Sequence, residues 1–383
     1  MRVLIVPMAA MAPTAGPSYR TRCIAREMQK EGLVVATCQA QDVNYKQIEG
    51  IENYYLTVPS PMGMPSFVGT HIFPIVQKLG VNRFRSVDSF DEVLHLTGNS
   101  DYAYLKQSVE DIRKAIKAFQ PDIVYSEFNI SAMLAAKLEK VTLYISASYP
   151  TQHKYSHNPK YAKGLNKLLR EYGLPPLASC LELFDFAEKK FIPSCKELEP
   201  MQDPKVSFCG TFKSNVTAAS AVRDKVLVYM GNGTISQRKM VKEVSHAFED
   251  TEYQVYIAGQ GLKEQSFNNI HIAPFFNFDA YLPESVLFIN HGGQNSIADG
   301  LVYGVPLLIC AGKVFERKYN AQSVVKVGAG EELSVAEFTS EEIRRVALQI
   351  INNTEYQRNA CRIGQELRTL GGVSVIVSDI QIK

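Results

Sequence analysis

Apolar positions in the first part of the chain follow two rhythms. Short runs rich in β-branched residues, at 3–6, 34–38 and 54–58, are separated by polar or helix-patterned stretches, the first of them at 18–30. Uninterrupted apolar runs predict strands buried on both faces, and their alternation with helices predicts a parallel sheet. Tyr102, Leu105, Val109, Ile112, Ile116 and Phe119 recur at spacings of three and four, the stripe of a helix lying on such a sheet, and Pro121 ends it. Two more buried strands, at 122–126 and 141–146, flank a helix at 130–139.

The rhythm breaks at 59–100, where Pro59, Pro61, Pro65 and Pro74 mix with Met, Phe and His, and again at 151–180. Long excursions on a regular scaffold often shape a binding site, although a solvated loop reads the same way. Pro193, Pro200 and Pro204, followed by the polar run 213–220, mark a linker. A second α/β series follows, with strands at 225–230, 253–258, 285–290 and 305–310 and helices near 236–249, 294–303 and 317–327. The expected organisation is an N-terminal Rossmann-like domain at 1–205 and a C-terminal one at 221–365. A closing segment at 366–383 is expected to pack back on the first.

Length agrees, since 383 residues exceed what one core ordinarily covers. Lys and Arg number 41 against 39 Asp and Glu, too balanced a charge to attract nucleic acid by bulk field. The seven cysteines are scattered, odd in number and without a C-x-x-C, so they read as reduced core thiols of a cytoplasmic protein. Arg2 before an apolar run resembles a short signal peptide, but Pro7 interrupts the run and a helix pattern follows, so a first strand is expected. No uncharged apolar run is long enough to span a bilayer.

The chemistry concentrates after the strand at 285–290. It runs into His291, Gly292 and Gly293 and then into a helix opening with Gln294, Asn295 and Ser296, with Asp299 one turn on. Glycines let backbone approach a ligand, and a helix start offers unpaired N–H groups and partial positive charge to phosphate. His291 and Ser296 add side-chain donors, which makes the turn a diphosphate cradle.

This stretch resembles the nucleotide-sugar motif of family 1 glycosyltransferases and their GT-B relatives. Their pattern is H-G-G-x-N-S, an acidic residue, G-V-P, D/E-Q-x-x-N-A and G-x-G. Here it reads His291 to Ser296, Asp299, Gly304-Val305-Pro306, Glu316-Arg317-x-x-Asn320-Ala321 and Gly328-Ala329-Gly330. The resemblance implies an α/β protein of GT-B architecture, two Rossmann-like domains facing a central cleft, that transfers a hexose with inversion. The donor would be a UDP- or dTDP-linked sugar, a co-substrate with no separate cofactor, and the acceptor a small molecule or a lipid. It implies that His291, Gly293 and Ser296 contact the pyrophosphate, with Gly292 and Asn295 also in the donor site, that Asp299 takes the ribose hydroxyls and that Glu316 faces the sugar. Gly231, Asn232, Gly233 and Thr234 would form a second phosphate-side loop, and Phe275 and Phe276 would hold the base. Asp at 299 and Arg317 depart from the commoner Glu and Gln, which leaves the donor's identity open. No D-x-D occurs in the sequence, so a metal-independent mechanism is expected.

On the acceptor side, relatives carry a basic His after a Gly in the first loop, whereas this chain has Gly16-Pro17. The acid that orients such a His has its counterpart in Glu127. Glu127 could serve as base, His153 or His157 could reach in, or the acceptor could be a phosphate, carboxylate or thiol that needs little deprotonation. Arg20 is placed to hold an acidic acceptor, though a surface role on the helix competes. A nucleotide-sugar epimerase or a non-catalytic partner of an active transferase remain rivals, as monomer or homodimer. Without G-x-G-x-x-G after either first strand, a dehydrogenase is disfavoured. Phe67, Ile72, Phe73, Ile75 and Val76, followed by Lys78, Arg83 and Arg85, could dock peripherally on an anionic bilayer or line the acceptor site.

Overall fold

The computed structural model describes residues 1–9, 16–60, 86–156, 158–213, 216–217, 220, 222–231 and 234–382. The candidate membrane-docking or acceptor-lining residues at 67–85, His157, Asn232 and Gly233 lie outside them. No helix among the described residues is long and apolar enough to cross a membrane.

The first half opens with β1 (Arg2–Pro7), buried from Val3 onward, and α1 (Gly16–Lys30), which buries Ile24, Ala25 and Met28. Gly32, at φ 79°, reverses the chain into β2 (Val34–Ala40), and β3 (Glu52–Leu56) pairs beside it. That strand starts earlier than its apolar run suggests because it is an edge strand in which Leu56 alone is fully buried. Helix α2 (Phe90–Leu96) is capped by Ser89, and α3 (Tyr102–Phe119) by Asp101. Gln120 closes α3 in the left-handed conformation ahead of Pro121. β4 (Ile123–Glu127), α4 (Ile130–Glu139), β5 (Thr142–Ser146) and α5 (Lys163–Glu171) follow, then β6 (Lys189–Ile192) and β7 (Val206–Phe208). The sequence reading missed these last two strands. They are short, and Pro193, Pro200 and Pro204 fall between them rather than in a linker between domains.

The second half carries β8 (Lys225–Tyr229), α6 (Gln237–Phe248), β9 (Gln254–Ala258), β10 (Gln265–Phe267) and β11 (Ile270–Ala273). After the short α7 (Phe278–Tyr281) come β12 (Ser285–Asn290), α8 (Gln294–Val302), β13 (Leu307–Ile309), α9 (Phe315–Lys326) and β14 (Gly330–Glu332). Helices α10 (Ser340–Asn352), α11 (Thr354–Thr369) and α12 (Val373–Gln381) end the chain.

Among the described residues each half builds a seven-stranded sheet, in the orders β3-β2-β1-β4-β5-β6-β7 and β10-β11-β9-β8-β12-β13-β14. All pairings are parallel except β10 with β11. Apolar clusters cover both faces of each sheet, as parallel sheets require. Val373, Ile376, Val377 and Ile380 of α12 join the first half's cluster beside Ile24 and Met28. The chain crosses back beside Gly210, where a Cβ would stand 2.0 Å from the Leu367 carbonyl oxygen.

In both sheets the strand order reverses at one place, between β1 and β4 and between β8 and β12. Connections leave a switch point in opposite directions and open a crevice beyond the strands' C-terminal ends. Pro7 pairs with Glu127 at the first, and Tyr229 with Asn290 at the second.

Candidate active site

The two crevices open into one cavity of about 490 Å³, lined by Met8, Pro17, Arg20 and Phe128 from the first half and by Tyr229, Gly231, His291 and Ser296 from the second. That volume suits a ligand of substrate size. The halves also touch directly beside it. Val87 forms a parallel bridge with Val314, its N–H donating to Lys313 at 3.1 Å and its carbonyl accepting from Phe315 at 2.8 Å.

The turn after β12 is fixed from both sides. Asn290, fully buried, accepts from the Gly292 N–H at 2.8 Å, and Asn320 of α9 donates to the Gly292 carbonyl at 2.9 Å. Gly292 sits at φ 80°, and a Cβ there would press on the Arg317 carbonyl at 2.9 Å. Gly293 then starts α8 with no side-chain cap, and the first turn holds no acidic residue. The leading N–H groups and the positive end of the helix are thus left to whatever occupies the cavity.

His291 stands between Gly231, after β8, and Gly293, at the start of α8. A Cβ on Gly231 would approach its Cε1 at 3.0 Å, and one on Gly293 its Nε2 at 2.7 Å. The ring meets Tyr229 edge-on at 5.6 Å, and Nδ1 lies 3.5 Å from the Tyr229 carbonyl. Burial, and then the charge of Arg317, push its pKa down to about 3, so the ring is neutral near pH 7. Arg317 donates from Nη1 to Thr234 at 2.8 Å and lines the cavity, its own pKa lowered by burial. Glu316, exposed, lines the same wall, as do Gly293 and Asn295.

Other expected residues lie elsewhere. Asp299 does not line the cavity; Lys213, from the segment joining the halves, donates to it at 2.8 Å and also pairs with Asp279. Phe275 is 77% exposed on the second half's surface, and Phe276 packs edge-on against Tyr256 at 5.3 Å. His153 lines a different cavity, where it meets Asp185 at 3.1 Å.

Glu127 also fails to reach the cavity, which corrects its placement as an acid facing the acceptor. It is fully buried, and its Oε1 accepts from Arg20 Nε at 2.5 Å. Arg20 is 7% exposed rather than a surface residue, and it forms the cavity wall in front of that carboxylate. Phe128, at φ 60°, follows directly and lies 5.3 Å from the guanidinium.

Four interdomain residues carried no signal in the sequence. Glu199 is buried, accepts from the Tyr149 N–H at 2.6 Å and from Gln294 at 3.1 Å, and has its carboxyl raised to about 7 by burial. Tyr149 in turn stacks on Tyr319 of α9. Gln294 occupies the variable position of the motif, where the pattern is silent.

Residues 250–376 match the family model described as the erythromycin biosynthesis protein CIII-like C-terminal domain. Demethyllactenocin mycarosyltransferase of Streptomyces fradiae is 22% identical over 306 residues, 70% of this chain and 65% of its own length. UDP-glucosyltransferase B1 of Starmerella bombicola is 25% identical over 162 residues, 40% of this chain and 38% of its own. Each match spans less than two thirds of the relative. The glycotransferase of kitacinnamycin superposes with a TM-score of 0.74 at 17% identity, covering 99% of this chain and 98% of that one. Spinosyn rhamnosyltransferase SpnG complexed with thymidine diphosphate gives 0.72 at 15%, covering all of both chains. The fold is therefore GT-B, and the chain resembles family 1 glycosyltransferases.

Proposed function

We propose that this chain is a glycosyltransferase that moves a sugar from a nucleoside diphosphate donor, UDP- or dTDP-linked, to a small-molecule or lipid acceptor, with inversion and without a metal. The observation that carries the reading is the uncapped start of α8, opened by Gly292 and Gly293 onto the cavity and flanked by His291 and Arg317. As the bond between the anomeric carbon and the diphosphate breaks, negative charge grows on the leaving oxygen. Fixed N–H donors, the helix dipole and the guanidinium meet that charge without reorganising. An anion beside Arg317 also favours the charged guanidinium that burial disfavours.

In this reading Ser296 and Thr234 complete the pyrophosphate shell, Glu316 orients the sugar and Asp299 exchanges Lys213 for the ribose hydroxyls. The exposed ring of Phe275 is a platform on which the base stacks. The mycarosyl and rhamnosyl activities of the relatives, and the thymidine diphosphate in the spinosyn enzyme, favour a dTDP-linked deoxyhexose.

Calorimetric titration with dTDP and UDP tests the donor site. Micromolar binding of either is expected, weakened on the order of tenfold by Ser296→Ala through loss of one hydrogen bond to a charged group. If neither nucleotide binds, the donor site is misassigned.

A further inference from the structure

The acceptor wall holds a guanidinium where a base is expected. Among the described residues, Pro17 has no titratable atom, Glu127 is sealed behind Arg20, and His153 opens on another cavity. His291 is a poor proton acceptor at a pKa of about 3, and Glu316 stands on the donor wall beside Arg317.

Arg20 has the geometry of a receptor for an anion. Glu127 takes its Nε edge and fixes the plane of the group. Its Nη1 and Nη2 lie 3.5 and 3.7 Å from the Cβ position of Gly16, in the first turn of α1. Neither Nη has a hydrogen-bond partner among the described residues, although the side chain is nine-tenths buried. The first turn of α1 contains no acidic residue, so the helix dipole adds to the positive potential there. The second oxygen of Glu127, Oε2, is buried without a hydrogen-bond partner among the described residues. A carboxylate held at that cost orients the arginine and leaves its outer donors turned to the cavity.

We propose that Arg20 and the start of α1 form an oxyanion subsite, and that the acceptor presents a carboxylate or phosphate oxygen there. This deepens the transferase reading and rests on it. The bound oxygen forms a bond to the anomeric carbon while the bond from that carbon to the diphosphate breaks, and the electron pair leaves with the nucleoside diphosphate. The acceptor's negative charge passes to the leaving group and no proton moves, so the site works without a base. Glu127 is a positioning residue in this scheme.

The test is binding to the full chain saturated with dTDP or UDP, using benzoate, phenyl phosphate and benzyl alcohol as probes in calorimetry. Benzoate or phenyl phosphate is expected to bind and benzyl alcohol is not; which of the two anions binds tells carboxylate from phosphate. The double variant Arg20→Met/Glu127→Gln removes the cation without stranding a buried carboxylate. It should weaken the anion by about tenfold or more, the loss of a charged hydrogen bond, while nucleotide affinity stays within about twofold. Glu127→Gln alone should weaken the anion less, and Arg20→Lys should recover part of it. Equal binding of benzyl alcohol, absence of anion binding, or an undiminished anion in the double variant overturns the subsite while leaving the donor reading intact. Absence of nucleotide binding removes both.

Discussion

Tyr149 of the N-terminal half lies flat on Tyr319 of the C-terminal half, with ring centroids 4.7 Å apart and planes 13° from parallel. The Tyr319 hydroxyl continues across the junction and donates to the Leu198 carbonyl at 2.9 Å. Since α9 also carries Glu316 and Arg317, this stack ties their side of the cavity to the N-terminal half.

Replacing Tyr319 by leucine keeps the apolar bulk but removes the stack and the hydrogen bond. The expected loss is about 2 kcal/mol of coupling between the halves. In scanning calorimetry the unfolding transition should move down and broaden or split. A transition that stays single and unshifted would show that the stack does not join them.

Two buried groups make stability depend on pH in opposite senses. The Glu199 carboxyl is raised from 4.5 to about 7, so between those values the folded chain binds more protons than the unfolded one. Its contribution is fully present below pH 4.5 and is lost as pH rises to about 7. Glu199→Gln should remove that slope and stabilise the protein at pH 8 by up to about 3 kcal/mol, following the shift at 1.36 kcal/mol per unit. For His291 the folded pKa is lowered from 6.5 to about 3, so its contribution is full above 6.5 and falls away as pH drops towards 3. His291→Asn should flatten that acid limb. Denaturant melts at pH 4 to 8 measure both, and parallel curves for wild type and variants would contradict both assignments.

Gly293 offers a clean steric test. Its backbone, at φ −68° and ψ 139°, is open to any residue, so alanine there adds no strain of its own. The new methyl would meet His291 Nε2 at 2.7 Å and push the ring out of its slot. Gly293→Ala should cost nucleotide affinity on the order of tenfold, about 1.4 kcal/mol, with little change in melting temperature. Unaltered dTDP and UDP affinity would mean that the ring's position does not matter to the donor.

Much of this was legible because the carriers of the signal are contiguous. The run from Phe288 to Ser296 contains a buried strand, a glycine turn and a helix start, and local geometry makes those three a cradle wherever they fold. Alternating buried runs and amphipathic helices likewise gave both parallel sheets. The edge strand β3 was expected two residues late because it is only partly buried, and the short β6, β7, β10, β11 and β14 escaped because they have too few residues to show a period. For Phe275 and Phe276 the sequence could name the pair but not its setting: an aromatic pair fits a core, a surface or a base site equally well until its neighbours are known.

The chain alone thus determined the two-sheet architecture and the glycine-opened turn at the start of α8, since both follow from residues adjacent in sequence and from where apolar side chains must be buried. Tertiary structure decided the rest. It joined Arg20 to Glu127 across 107 positions and so set one candidate base behind an arginine as its anchor. It brought Arg317 and two glycines around His291, and it laid Tyr149 on Tyr319. Charge state and accessibility are properties of what packs around a group, and those neighbours come from elements far apart along the chain.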